Sequence, residues 1–140
     1  MTRRVAGIVV IDGTDDETWP FSDEHGHLEK GVDTILDEGQ PASVITVPAL
    51  RWGGECRVEL EMLAQVVQNN AVQITGTAKL FEGTSEDTDD LEDQRQVNFT
   101  VPKGGIPVRR QINLRNSGIG GGDHAEIYIT FTNSIYEQPD

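Results

Sequence analysis

The run Gly83-Thr84-Ser85-Glu86-Asp87-Thr88-Asp89-Asp90-Leu91-Glu92-Asp93 places six carboxylates in eleven residues. A Ca²⁺ ion takes about six to eight oxygen ligands, and clustered carboxylates with hydroxyls and backbone carbonyls supply them without sulfur or imidazole. With the flanking acids, the candidate metal ligands are Glu82, Glu86, Asp87, Asp89, Asp90, Asp93 and Asp123, and the cofactor they imply is Ca²⁺. The spacing of Asp87, Asp89 and Asp93 is similar to the early ligands of a helix-loop-helix calcium site. It lacks the glycine and the closing glutamate of that motif, so the motif is not met. The competing reading is a solvated acidic turn that prevents aggregation.

Other chemistry-bearing residues are sparser. Asp23-Glu24-His25-Gly26-His27 offers ligand types that suit Zn²⁺, but the glycine between the two imidazoles in an acidic stretch reads as a loop. His124 beside Asp123 has the makings of a general base, yet no Gly-x-Ser-x-Gly elbow or Cys-His signature accompanies it. Cys56 is the single cysteine, which rules out an internal disulfide, and the neighbouring Glu55 raises rather than lowers a thiol pKa. The glycines of 118–122 are followed by a strand pattern, where a phosphate-cradling loop would lead into a helix. These absences lead us to expect a non-enzyme. Trp19 and Trp52 stand in loop-like segments flanked by Pro or Gly, where an indole stacks on a sugar, meets a protein partner or fills the end of a core.

Charge is unevenly placed. The chain carries 24 acids against 11 Lys and Arg, a formal net charge of -13. Ten acids lie between Asp12 and Glu38 and six between Glu86 and Asp93, whereas Gln94 to Gly122 holds no acid and five bases, Arg109 and Arg115 among them. The total repels phosphates, so nucleic-acid binding is not expected. The asymmetry makes the molecule dipolar, and Arg109 and Arg115 become candidate partner-binding residues for a protein or a second copy.

The elements that must position these groups follow from period-two alternation. Val5 to Ile11 is apolar on both sides, as a strand covered on both faces is. Ser43 to Val47, Arg57 to Gln68, Val72 to Leu80, Val97 to Val101, Val108 to Leu114 and Ala125 to Phe131 complete seven candidate strands. Arg57 to Gln68 also fits a helix through Leu60, Leu63, Ala64 and Val67. The clean alternation of Val72, Ile74, Gly76, Ala78 and Leu80 after Asn69-Asn70 favours a hairpin instead. Register then predicts a three-residue loop that sets Val66 opposite Ile74, with a bulge. The fold expected is a single all-β domain over 1–140, an antiparallel β-sandwich of about seven strands with immunoglobulin-like or jelly-roll arrangement, and residues 12–42 form a long acidic irregular segment. Up-and-down strands bring Glu55, Glu82, the acidic loop and Asp123 to one end.

The longest apolar run is about a third of the ~20 residues that cross a bilayer, so membrane insertion is not expected. Arg3 and Arg4 before it lack a following cleavage site, which reads as a chain that is cytoplasmic as synthesised or part of an assembled particle. The function these features suggest is a binding module whose Ca²⁺-organised loop end engages a protein or carbohydrate partner. The alternative is a structural subunit of a virion, filament or other self-assembling homo-oligomer, the acidic end of one copy docking on the Arg-bearing strands of the next.

Overall fold

The computed structural model describes residues 1–15, 23–116 and 122–137. Within them nine strands run in chain order: β1 (Arg3–Asp15), β2 (Glu24–Leu36), β3 (Ser43–Thr46), β4 (Leu50–Trp52), β5 (Cys56–Val66), β6 (Val72–Glu82), β7 (Leu91–Val101), β8 (Val108–Arg115) and β9 (His124–Ile135). They form two antiparallel sheets packed as a sandwich, one in the order β2-β1-β9-β8 and the other β3-β5-β6-β7 with β4 also on β5. No helix among the described residues is long and apolar enough to cross a membrane.

The all-β sandwich is therefore as its sequence pattern implies, and the helical alternative for Arg57 to Gln68 fails on one face. β5 buries Val58, Leu60, Met62, Ala64 and Val66, while Leu63, which a helix would turn inward, is 40% exposed. Alternate side chains of a strand point to opposite faces, and from Val58 to Val66 the burial pattern of β5 obeys that period. Phe99 of one sheet meets Phe131 of the other at a ring-centroid distance of 6.2 Å, tying the two halves of the core.

Four details depart from the sequence reading. The stretch 12–42 is not irregular throughout, because it contains β2. β2 buries only Val32 and Leu36 and is held instead by an unbroken ladder to β1 from Arg3↔Leu36 to Asp15↔Glu24. A strand fixed by backbone bonds along a sheet edge leaves little trace in side-chain pattern. β1 in turn is not covered on both faces: Val5, Val9 and Ile11 are buried, but Ile8 on the outer face is 38% exposed. The β5–β6 connection is longer than three residues. Val66 pairs with Val72 and Ala64 with Ile74, and residues 67–71 form a 3₁₀ turn with Asn69 at φ 60 and Asn70 at φ 58. A slip of two residues preserves which side chains face inward, so the core list survives the wrong register. The bulge lies elsewhere, between β6 and β7, where Leu80 faces Asp93 and Phe81 faces Leu91.

The fourth departure concerns Trp52, which belongs to β4 and not to a loop. β3 and β4 share one edge of β5, interrupted between them by residues 47–49 with Pro48, which cannot donate to the ladder. Trp52 is 3% exposed, and its indole lies over the paired glycines Gly13 and Gly26 of β1 and β2. A Cβ on Gly13 would sit 2.6 Å from the indole and one on Gly26 2.7 Å from the Trp52 Cβ, so only glycine leaves room. Trp52 is a core residue rather than a partner-binding one. Trp19 lies outside the described residues.

Candidate functional site

Asp15 ends β1, Cys56 opens β5 and Asp123 immediately precedes β9, so three distant sequence positions arrive at one end of the sandwich. All three are buried, at 3%, 0% and 3% exposure, and one ligand atom of each lies within 4.8 Å of the others. The ladders place them. Thr14 pairs with His124, which sets Asp15 beside Asp123, and Cys56 pairs with Glu82, which carries a further carboxylate from the opposite sheet. Glu82 hydrogen-bonds to Asp123, and the Asn116 side-chain amide donates to Glu82 Oε2.

Burial sets the electrostatics of this group. The Cys56 thiol is pushed well above its ordinary value, first by desolvation and then by the charges of Asp123, Asp15, Glu82 and Glu55. Glu82 is pushed up to about 7, again by desolvation first and then by its hydrogen bond to Asp123, against a smaller lowering by Asn116. Near neutral pH Glu82 is thus poised between its charged and neutral forms, beside a thiol that burial keeps protonated. Carboxylates taken out of water need a compensating positive charge, which a proton supplies in part and a cation supplies more fully.

The backbone around the group is shaped for close approach. Gly53 has φ 67, and a Cβ there would lie 2.5 Å from Asp15 Oδ2 and 3.1 Å from Glu24 Oε2. Gly54, also left-handed at φ 73, donates its N–H to Glu86 Oε2 at 3.0 Å. The Gly53-Gly54 turn therefore packs closely against Asp15 on one side and is hydrogen-bonded to the acidic loop on the other.

The acidic loop meets the same end but spreads its carboxylates. Its backbone closes through Glu82 N–H to Asp90 O at 3.1 Å, Thr88 N–H to Ser85 O at 3.2 Å and Gly83 N–H to Glu55 O at 3.2 Å. Glu86 goes to Gly54, Asp87 to Arg51 at 3.7 Å, and Asp93 accepts the Arg115 N–H at 2.9 Å while lying 3.5 Å from Arg95. Asp89 and Asp90 are exposed. Of the seven acids expected to bind metal, Glu82 and Asp123 come together. Glu86, Asp87, Asp89, Asp90 and Asp93 join no group of three donors within 4.8 Å among the described residues.

The chain matches no family model and no curated protein.

The chemistry of the site follows from its donors alone. Two carboxylates and a thiol are a mixed oxygen and sulfur set, softer than the all-oxygen shell that Ca²⁺ prefers and closer to what Zn²⁺ takes. Cys56, buried and held protonated, is no activated nucleophile. Sequence reasoning missed Asp15 because it fell in the stretch read as irregular, and Cys56 because a lone cysteine carries no spacing signal. Elsewhere, His27 pairs with Asp12 and Glu29 across the exposed face of β1 and β2, which holds its pKa above the ordinary imidazole value. Arg109 and Arg115 both project from the exposed face of β8, an edge strand.

Proposed function

We propose that this protein is a non-enzymatic β-sandwich binding module whose loop end is organised by a divalent cation held by Asp15, Cys56 and Asp123, with Glu82 alongside. The observation that carries the reading is the convergence of these buried donors from both sheets within 4.8 Å. The six-acid loop argues for Ca²⁺, whereas the thiol argues for a softer ion of the Zn²⁺ class, and we favour the latter at the buried group. The exposed carboxylates Asp87, Asp89 and Asp90 then remain free of that centre to face a protein or carbohydrate partner.

Chelator-treated protein melted with added Zn²⁺ or Ca²⁺ tests this, because an ion that binds only the folded state must raise Tm. We expect Zn²⁺ to raise Tm, and Asp15→Asn with Asp123→Asn to remove the increase. Cys56→Ser should weaken the Zn²⁺ response more than any Ca²⁺ response. A melting curve that neither ion moves overturns the reading.

A second reading, a subunit of a self-assembling complex, is supported by the outer face of the β2-β1-β9-β8 sheet. That face exposes Ile8 and Tyr128 at 38% and 39%, and Arg109 stands on the edge strand beside them.

A further inference from the structure

Arg3 opens β1 at the end of the sandwich opposite the candidate metal centre, and its side chain is drawn inside, with 2% of the residue exposed. Nε donates to Asn133 Oδ1 at 2.9 Å, and Nη1 lies 3.9 Å from Met1 Sδ. Asn133 is fixed as a neutral partner, since its amide donates to Asn70 O at 2.8 Å and Val101 O at 2.9 Å. Among the described residues no carboxylate lies within 4.0 Å of the Arg3 guanidinium. The neighbouring Arg4 shows the ordinary alternative, gripping Asp33 through Nε at 2.9 Å and Nη2 at 2.8 Å on the surface. A guanidinium cannot shed its proton, and a buried one without a counter-charge is rare because both its charge and its donors are left short of partners.

Arg3 also borders a pocket of about 550 Å³, lined with it by Lys103, Gly104, Ser134 and Ile135. Lys103 and Gly104 belong to the β7–β8 turn, which Gly105 pins by donating its N–H to Asn133 O at 3.0 Å. Two cations, a hydroxyl and an aliphatic side chain thus line one cavity, on a chain whose net charge is -13.

We propose that this pocket binds a small organic carboxylate, paired with Arg3 and Lys103 and resting its apolar part on Ile135. A single charge is favoured over a multiply charged anion for two reasons. Nε of Arg3 is already engaged, which leaves the Nη groups for one carboxylate, and the negative field of the whole molecule opposes polyanions at a distance. The pocket is independent of the cation site, which lies at the other end of β1 and β9.

The test is an NMR titration of ¹⁵N-labelled protein with sodium hexanoate at constant ionic strength, with sodium phosphate as the comparison anion. We expect saturable shifts of the Gly104, Ser134 and Ile135 amides with hexanoate, and weaker or non-saturating ones with phosphate. Arg3→Met should weaken hexanoate by about tenfold or more, as loss of a desolvated charge partner does. Lys103 lies on an exposed turn, so Lys103→Gln should keep the fold and weaken binding a few-fold even if Arg3→Met fails to fold. Three results overturn the proposal: no saturation, equal response to phosphate, or shifts that survive both substitutions. Concentration-dependent association that Lys103→Gln relieves and hexanoate does not would also overturn it, by assigning the pocket to the acidic loop of a second copy.

Discussion

Glu82 at the end of β6 hydrogen-bonds to Asp123 just before β9, so one side-chain contact joins the two sheets where the loops converge. Glu82 carries a pKa pushed up to about 7 from an ordinary 4.5, with desolvation as the first cause. A carboxyl whose folded value is raised contributes stability that is fully present below its ordinary value and is lost as pH rises through the folded value. Metal-free protein should therefore lose Tm as pH rises from about 5 to about 8. Glu82→Gln, which keeps a neutral donor facing Asp123, should flatten that loss. Parallel pH profiles for the two proteins would show that this pair does not control it.

The core assignment separates Leu60 from Leu63. Leu60, Ile74 and Phe99 are buried, and truncation to Ala should cost about 2 to 5 kcal/mol each. Leu63→Ala, on the outer face of β5, should cost less than about 1 kcal/mol, the usual range for exposed positions. Urea denaturation reads both, and equal costs at Leu60 and Leu63 would contradict the strand geometry.

Trp52 and Gly13 are coupled by contact. Gly13→Ala forces a methyl into the space the indole fills, which should destabilise by about 1 to 3 kcal/mol. In a Trp52→Ala background the same methyl enters vacated space, so its cost should fall toward zero. A double-mutant cycle measures the coupling, and strictly additive costs would mean the indole does not rest on Gly13.

How much of this was legible in the sequence depends on which force fixes each element. Strands that bury one face announce themselves: Val58 to Val66 and Val72 to Leu80 alternate because alternate side chains meet the opposite sheet. β2 stayed hidden because its ladder to β1 uses backbone groups that every residue has, and its side chains are mostly exposed. The acidic loop was conspicuous by composition, yet Glu86, Asp87 and Asp93 disperse to Gly54, Arg51, Arg95 and Arg115, while Asp89 and Asp90 face outward. Asp15, Cys56 and Asp123 converge only through the β1–β9 and β5–β6 registers, which are long-range pairings that no local pattern encodes. The convergence of Glu82 and Asp123 at one end followed from simple up-and-down chain reversal and is present.

The Arg-bearing face of β8 separates the two functional readings. Arg109 and Arg115 pair with Thr130 and His124 on β9, on the same outward face as Gln111 and Asn113, and both are exposed. Arg115 also brings its backbone N–H to Asp93, so its position is anchored to the acidic loop, while Arg109 stands apart near Tyr128. If copies associate by setting the acidic end of one against this face of the next, the attraction is between exposed charges. Such attraction is screened beyond about 8 Å at physiological ionic strength. Sedimentation velocity at low salt should then show species larger than a monomer, shrinking as salt is added. Arg109→Glu with Arg115→Glu should give the same shrinkage without salt. An oligomer that survives both treatments has an apolar interface, for which Ile8 and Tyr128 on the neighbouring strands are the first substitutions to make. A monomer at every concentration and salt would remove the assembly reading and leave the cation-organised binding module.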